Sequence, residues 1–159
     1  MVCVRTRRDV RIADSGIMSD ALWLSNNREH DMTSLQPLSA TQDLQANTAT
    51  VQEYFEGMYL RDLDRLRKAF HPTACLYGHY KGSFARIPLE EWLTAVASRS
   101  IPAESGEAFD MRIVATDATG QVATVKVADL YRGLRFTDYL SLAKVDGLWV
   151  IVNKTFHHD

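Results

Sequence analysis

The chain has 159 residues, a formal net charge of −2, and 46% hydrophobic and 24% charged residues, the balance of one globular domain with a proper core. That charge gives no reason to expect nucleic acid or an anionic membrane as a partner. Cys3 and Cys75 form no CxxC pair and argue against a disulfide scaffold, no apolar run approaches the ~20 residues of a membrane span, and no secretory signal follows the first arginines. A cytoplasmic location is the expectation.

Residues 1–47 mix Arg, Asp, Ser, Thr, Asn and Gln without a sustained period. They are expected to be a flexible extension, with the domain proper at 48–159. Thr50-Val51-Gln52-Glu53 has the spacing of a capping box, so a helix is expected to start there. Val51, Tyr54, Phe55, Met58 and Tyr59 then recur on one helical face. Asp62 is placed to cap a second short helix that buries Leu63, Leu66 and Phe70, and His71-Pro72 closes it. A first strand is expected over Ala74–Tyr80, and Pro88 opens a third helix burying Leu89, Trp92, Leu93 and Val96.

The remainder reads as strands over Phe109–Thr116, Gln121–Tyr131, Leu134–Val145 and Leu148–His157, with Asp146-Gly147 as a hairpin turn. Helices followed by a strand meander predict an α+β fold, with helices on one face of a curved antiparallel sheet.

One residue breaks the apolar pattern. Leu134, Phe136, Leu140 and Leu142 share a strand face, and Asp138 lies in the middle of that row. A carboxylate aimed at a core is costly unless it is paired, hydrogen-bonded or protonated. Two readings stand: a functional group, or a buried ion pair with Lys154, which is expected on a strand face with Val150, Val152 and Phe156.

Three stretches carry a family resemblance: Val51-Gln52-Glu53-Tyr54-Phe55-Glu56-Gly57, Ala69-Phe70-His71-Pro72-Thr73-Ala74, and Phe136-Thr137-Asp138-Tyr139-Leu140. With Asp62-Leu63-Asp64 and the closing Gly147–Lys154, the layout resembles the nuclear transport factor 2-like superfamily over about residues 48–158. Within it, the chain is most similar to the "putative lumazine-binding" branch, a relative of polyketide cyclases and ketosteroid isomerases. The resemblance implies a cystatin-like cone: about three helices against a curved, mainly antiparallel mixed sheet around a cavity. In the isomerases a tyrosine and a protonated aspartic acid form an oxyanion hole. Those roles fall on Tyr54 and Asp138, and a cavity phenylalanine falls on Phe156. The general-base aspartate falls on Gly78, so the steroid-isomerase mechanism is not supported.

The expected ligand-facing residues are Tyr54, Met58, Phe70, Trp92, Phe136, Asp138, Leu140, Val152, Lys154 and Phe156. Tyr54 is alternatively a core residue with its hydroxyl tied to a neighbour. His71 joins Asp138 and Tyr54 as a catalytic candidate if the protein is an enzyme, although a histidine at a helix C-terminus also suits the helix dipole. No metal or cofactor is expected, because His79, His157 and His158 lack the spacing of a metal site.

The functional expectation is a small-molecule-binding cavity protein, its ligand a pteridine-like or other planar heterocycle. An isomerase, cyclase or dehydratase using Asp138 and Tyr54, and a dimeric association module with a vestigial cavity, are the alternatives. Leu148–Phe156 is apolar on both faces, with Trp149 and Ile151 opposite Val150, Val152 and Phe156. A homodimer through the outer sheet face is therefore expected, with Trp149 as its probe.

Overall fold

The computed structural model describes residues 40–80 and 82–159. Helix α1 spans Ala40–Leu60, α2 Leu63–Ala69 and α3 Leu89–Ala97. The strands are β1 Phe70–Tyr80, β2 Ser83–Pro88, β3 Met111–Thr119, β4 Val122–Tyr131, β5 Leu134–Val145 and β6 Leu148–His158. They form one sheet in the order β2-β1-β6-β5-β4-β3. Only the β1–β6 pair is parallel, so the sheet is mixed and mainly antiparallel, and the fold class is the expected α+β.

Local chemistry explains most boundaries. Asp62 caps α2 by accepting from the backbone N–H groups of Asp64 and Arg65, both at 3.1 Å. Pro88 precedes the first residue of α3, where its missing N–H costs nothing. The β5–β6 turn places Asp146 at φ 50° and Gly147 at φ 81°, the paired left-handed conformation of a tight hairpin. β2, not expected from the sequence, pairs antiparallel with β1.

The helix start differs from the expectation. Thr50 and Glu53 are not a capping box, because α1 already runs through them. Thr50 Oγ1 bonds the carbonyls of Ala46 and Trp149, and Glu53 forms ion pairs with Arg65 and Lys68. Residues 40–47 belong to this helix and are tied to the sheet, since Asp43 accepts from Lys144 Nζ at 2.8 Å and from Trp149 Nε1 at 2.9 Å. The rest of the expected extension, residues 1–39, lies outside the described residues.

The core fills the space between the helices and the inner sheet face. Val51, Tyr54, Phe55 and Met58 from α1 meet Leu66, Phe70, Trp92, Leu93 and Val96. The sheet contributes Val125, Val127, Leu140, Leu142 and Ile151. Tyr54, Phe70 and Trp92 pack as an aromatic cluster with ring centroids 5.5–6.5 Å apart.

A bulge in β6 overturns one expectation about faces. Ser141 pairs with Asn153 but Leu142 pairs with Ile151, which leaves Val152 as an extra residue. Alternation is thereby reset. Trp149, Ile151 and Lys154 all point inward and are buried, so Lys154 does not share its face with Val150 and Val152. Trp149 is accordingly no probe of the outer face. Among the described residues no helix is long and apolar enough to cross a membrane.

Candidate functional site

Asp138 sits mid-way along β5, fully buried, as the uninterrupted alternation of that strand requires. Its Oδ2 accepts from Tyr54 Oη at 2.7 Å and pairs with Lys154 Nζ at 2.6 Å. Lys154 Nζ also donates to Tyr54 Oη at 2.6 Å, closing a triangle of three side chains from α1, β5 and β6. The buried ion pair foreseen for Asp138 is present. The low-dielectric surroundings strengthen it, and each charge would be costly alone.

The ammonium group also lies against aromatic faces. Its nitrogen is 5.0 Å from the Tyr54 ring centroid, 5.9 Å from Trp92, 6.0 Å from Phe136 and 5.8 Å from Phe156. Burial together with Asp138 and Asp129 drives the Tyr54 hydroxyl well above its usual pKa, so it remains a protonated donor.

Asp129 is the member of this buried cluster that sequence reasoning missed. It lies on β4, on the same inward row as Val125, Val127 and Tyr131, and is 4% exposed. Val127 pairs with Asp138 across the β4–β5 ladder, which sets Asp129 diagonal to Asp138 on one face. As carboxylates, Asp129 Oδ2 and Asp138 Oδ1 would both be buried acceptors without a partner. A proton on Asp129 turns that conflict into a hydrogen bond. Desolvation first, and then the neighbouring Asp138 charge, raise the Asp129 pKa to about 7. The signal was available: Asp129 interrupts an apolar row just as Asp138 does.

Of these groups, Asp129 and Lys154 line a cavity of about 120 Å³. Its apolar lining comes from Met58, Leu76, Ile87, Trp92, Phe136 and Phe156, and its polar floor from Asp129 and Lys154. Tyr80, Arg99, Tyr131, Arg132 and Leu134 complete the lining, with exposed Tyr80, Arg132 and Leu134 on the solvent side.

Of the expected ligand-facing residues, Met58, Trp92, Phe136, Lys154 and Phe156 line the cavity. Tyr54, Asp138, Phe70 and Leu140 are buried behind its wall. Val152 lies outside it, because the bulge turns it away from Lys154. His71 has its Nδ1 2.8 Å from Thr73 Oγ1 and does not line the cavity.

Gly78 has a steric reason to be glycine. A Cβ there would lie 2.5 Å from the Phe156 carbonyl oxygen and 2.7 Å from its ring. Phe156 thus occupies the space that a side chain at position 78 would need. Among the described residues no group of three or more His, Cys, Asp and Glu is arranged to hold a metal.

Comparison with known proteins agrees with this architecture. A family model described as "Putative lumazine-binding" matches residues 42–157. The aldolase FrzH of Cladobotryum sp is 28% identical over 109 residues, covering 69% of this chain and 86% of that protein. An NTF2-like protein of unknown function from Shewanella baltica aligns with a TM-score of 0.69 and 27% identity, covering 77% of this chain and 98% of that one. A cystatin-like fold protein from Burkholderia xenovorans, 14% identical, aligns with a TM-score of 0.56 over 75% of this chain and 93% of its own, and supports the fold alone.

Proposed function

The chain belongs to the "Putative lumazine-binding" family within the nuclear transport factor 2-like superfamily, and on that premise we propose that it binds one small planar molecule in the cavity above Asp129 and Lys154. The observation that carries this reading is the placement of two buried polar side chains, Asp129 and Lys154, among the apolar residues that line the cavity. An ammonium has three donors. Lys154 directs two of them to Asp138 and Tyr54, which leaves one for a ligand acceptor. Asp129, whose proton goes to Asp138, offers an oxygen as an acceptor beside it. The carbonyl and ring N–H edge of a pteridine-like heterocycle suits that donor and acceptor pair. The volume of about 120 Å³ favours a compact ring system over an extended polycycle.

Lumazine is the natural first probe. Saturable quenching of tryptophan fluorescence and a rise in melting temperature are expected for the wild type, and both should weaken in Ile87→Phe, which fills the cavity from its rim. No response to millimolar lumazine, together with no small molecule in native mass spectra of protein purified from its own cells, would defeat the proposal.

Acid–base catalysis is a second reading, favoured by the Asp129 pKa of about 7 and by the similarity to an aldolase. In that reading ionised Asp129 takes a proton from carbon next to a carbonyl. The C–H electron pair forms the enolate double bond, and the enolate oxygen is held by Lys154. Exchange of such a proton for deuterium in a bound ketone, lost in Asp129→Asn, would be its signature.

A further inference from the structure

The cavity mouth carries a charge that the floor does not balance. At the floor, Lys154 is paired with Asp138. At the rim, Arg99 follows α3 and Arg132 occupies the β4–β5 turn, and both line the cavity. The remaining contacts of these two guanidinium groups leave their forks open. Arg99 lies 5.9 Å over the Tyr131 ring, and Arg132 Nε reaches Ser100 Oγ at a long 3.4 Å. Among the described residues neither is in an ion pair, whereas Arg65, Arg67, Arg112 and Arg135 each hold a carboxylate.

One carboxylate reaches this turn, and it is already engaged. Glu107 accepts from the backbone N–H groups of Arg132 at 3.0 Å and Gly133 at 2.7 Å, so it braces the turn rather than the guanidinium. That turn also holds Arg132 at φ 54°, a conformation in which Asn, Asp or Gly is the easier choice. With the chain at −2 overall, two guanidinium groups against the one Glu107 carboxylate at this turn make a local excess of positive charge.

We propose that Arg99 and Arg132 form an anion clamp at the cavity mouth, so that the ligand is a compact planar molecule carrying a carboxylate or phosphate on the end opposite its carbonyl. This rests on the cavity reading above and adds to it the chemical class of the ligand. A guanidinium presents its donors as a planar fork that matches both oxyanions, and two of them from different elements fix direction as well as charge. The apolar middle, formed by Met58, Trp92 and Phe156, would hold the ring.

Benzoate, phenyl phosphate and benzamide place the same ring behind a carboxylate, a phosphate and a neutral amide. Titrated into the full chain at low salt, with Trp92 fluorescence and binding heat as readouts, one or both anions should bind about ten-fold tighter than benzamide. The order of the two anions tells which oxyanion is preferred. The advantage should disappear in Arg99→Gln and Arg132→Gln, survive in part in Arg132→Lys, and shrink as salt rises. An unchanged melting temperature in these variants separates a lost contact from a lost fold. Benzamide binding as tightly as benzoate, or an anion preference untouched by both Gln variants, overturns the clamp and leaves the cavity reading standing. If none of the three probes binds, and lumazine also fails, the cavity reading falls and the clamp with it.

Discussion

Asp129→Asn should make the protein more stable at pH 8 and leave it nearly unchanged at pH 4. The wild-type carboxyl titrates near pH 7 in the folded chain, against an ordinary 3.8. Below about pH 4 both folded and unfolded states hold the proton, and the group contributes no penalty. Between about pH 4 and 7 the unfolded chain releases the proton while the folded chain keeps it, so stability falls as pH rises. Above about pH 7 the loss is complete. A shift of about three pKa units sets its upper bound at about 4 kcal/mol, and relaxation around Asp129 reduces what is realised. The amide imitates the neutral acid, offers its N–H to Asp138 Oδ1, and does not titrate.

Urea midpoints followed by tryptophan fluorescence at a series of pH values give the difference curve directly. Asp43, Glu53 and Asp110, whose pKa values are lowered by their cationic partners, titrate alike in both proteins and cancel. A constant offset across pH, or an Asn variant less stable at pH 8, would refute the reasoning. Either result would mean that Asp129 and Asp138 do not compete for a proton.

Asp138→Asn removes the partner of a buried ammonium and should cost about 3–5 kcal/mol in unfolding free energy, the range for breaking a buried pair. A loss of ligand affinity with little loss of stability would instead favour a direct role in binding. Gly78→Ala should destabilise by about 1–3 kcal/mol through the clash with Phe156, and a midpoint equal to wild type would show that β1 yields freely. Asn47 is fully buried with both side-chain polar atoms unpartnered, so Asn47→Leu should stabilise by about 1 kcal/mol, while no effect on melting would question the docking of residues 40–47. We also propose that the outer sheet face pairs two copies through exposed Val122, Tyr139 and Leu148, so Tyr139→Glu should shift sedimentation from dimer to monomer. A wild type that sediments as a monomer at about 100 µM would end that idea.

The sequence by itself determined the α+β class, the second and third helices, the β5–β6 hairpin and the inward direction of Asp138. Each of these is written locally, as a cap, a turn dipeptide or an unbroken alternation. Thr50-Val51-Gln52-Glu53 misled because a threonine and a glutamate three residues apart are compatible with both a helix start and a helix interior. The difference lies in Asp43, Lys144 and Trp149, which hold the earlier turns against the sheet from far away in the chain. Lys154 was matched with the right partner and with Phe156, but wrongly placed on a face with Val150 and Val152, because a single extra residue at Val152 resets the parity of β6. That reset depends on the ladder with β5 and leaves no mark in β6 alone. Tertiary structure also decided the site. Asp129, Arg99 and Arg132 come from β4, the end of α3 and a turn, and only the packing of those elements around one cavity brings them to the group that Asp138 and Lys154 anchor.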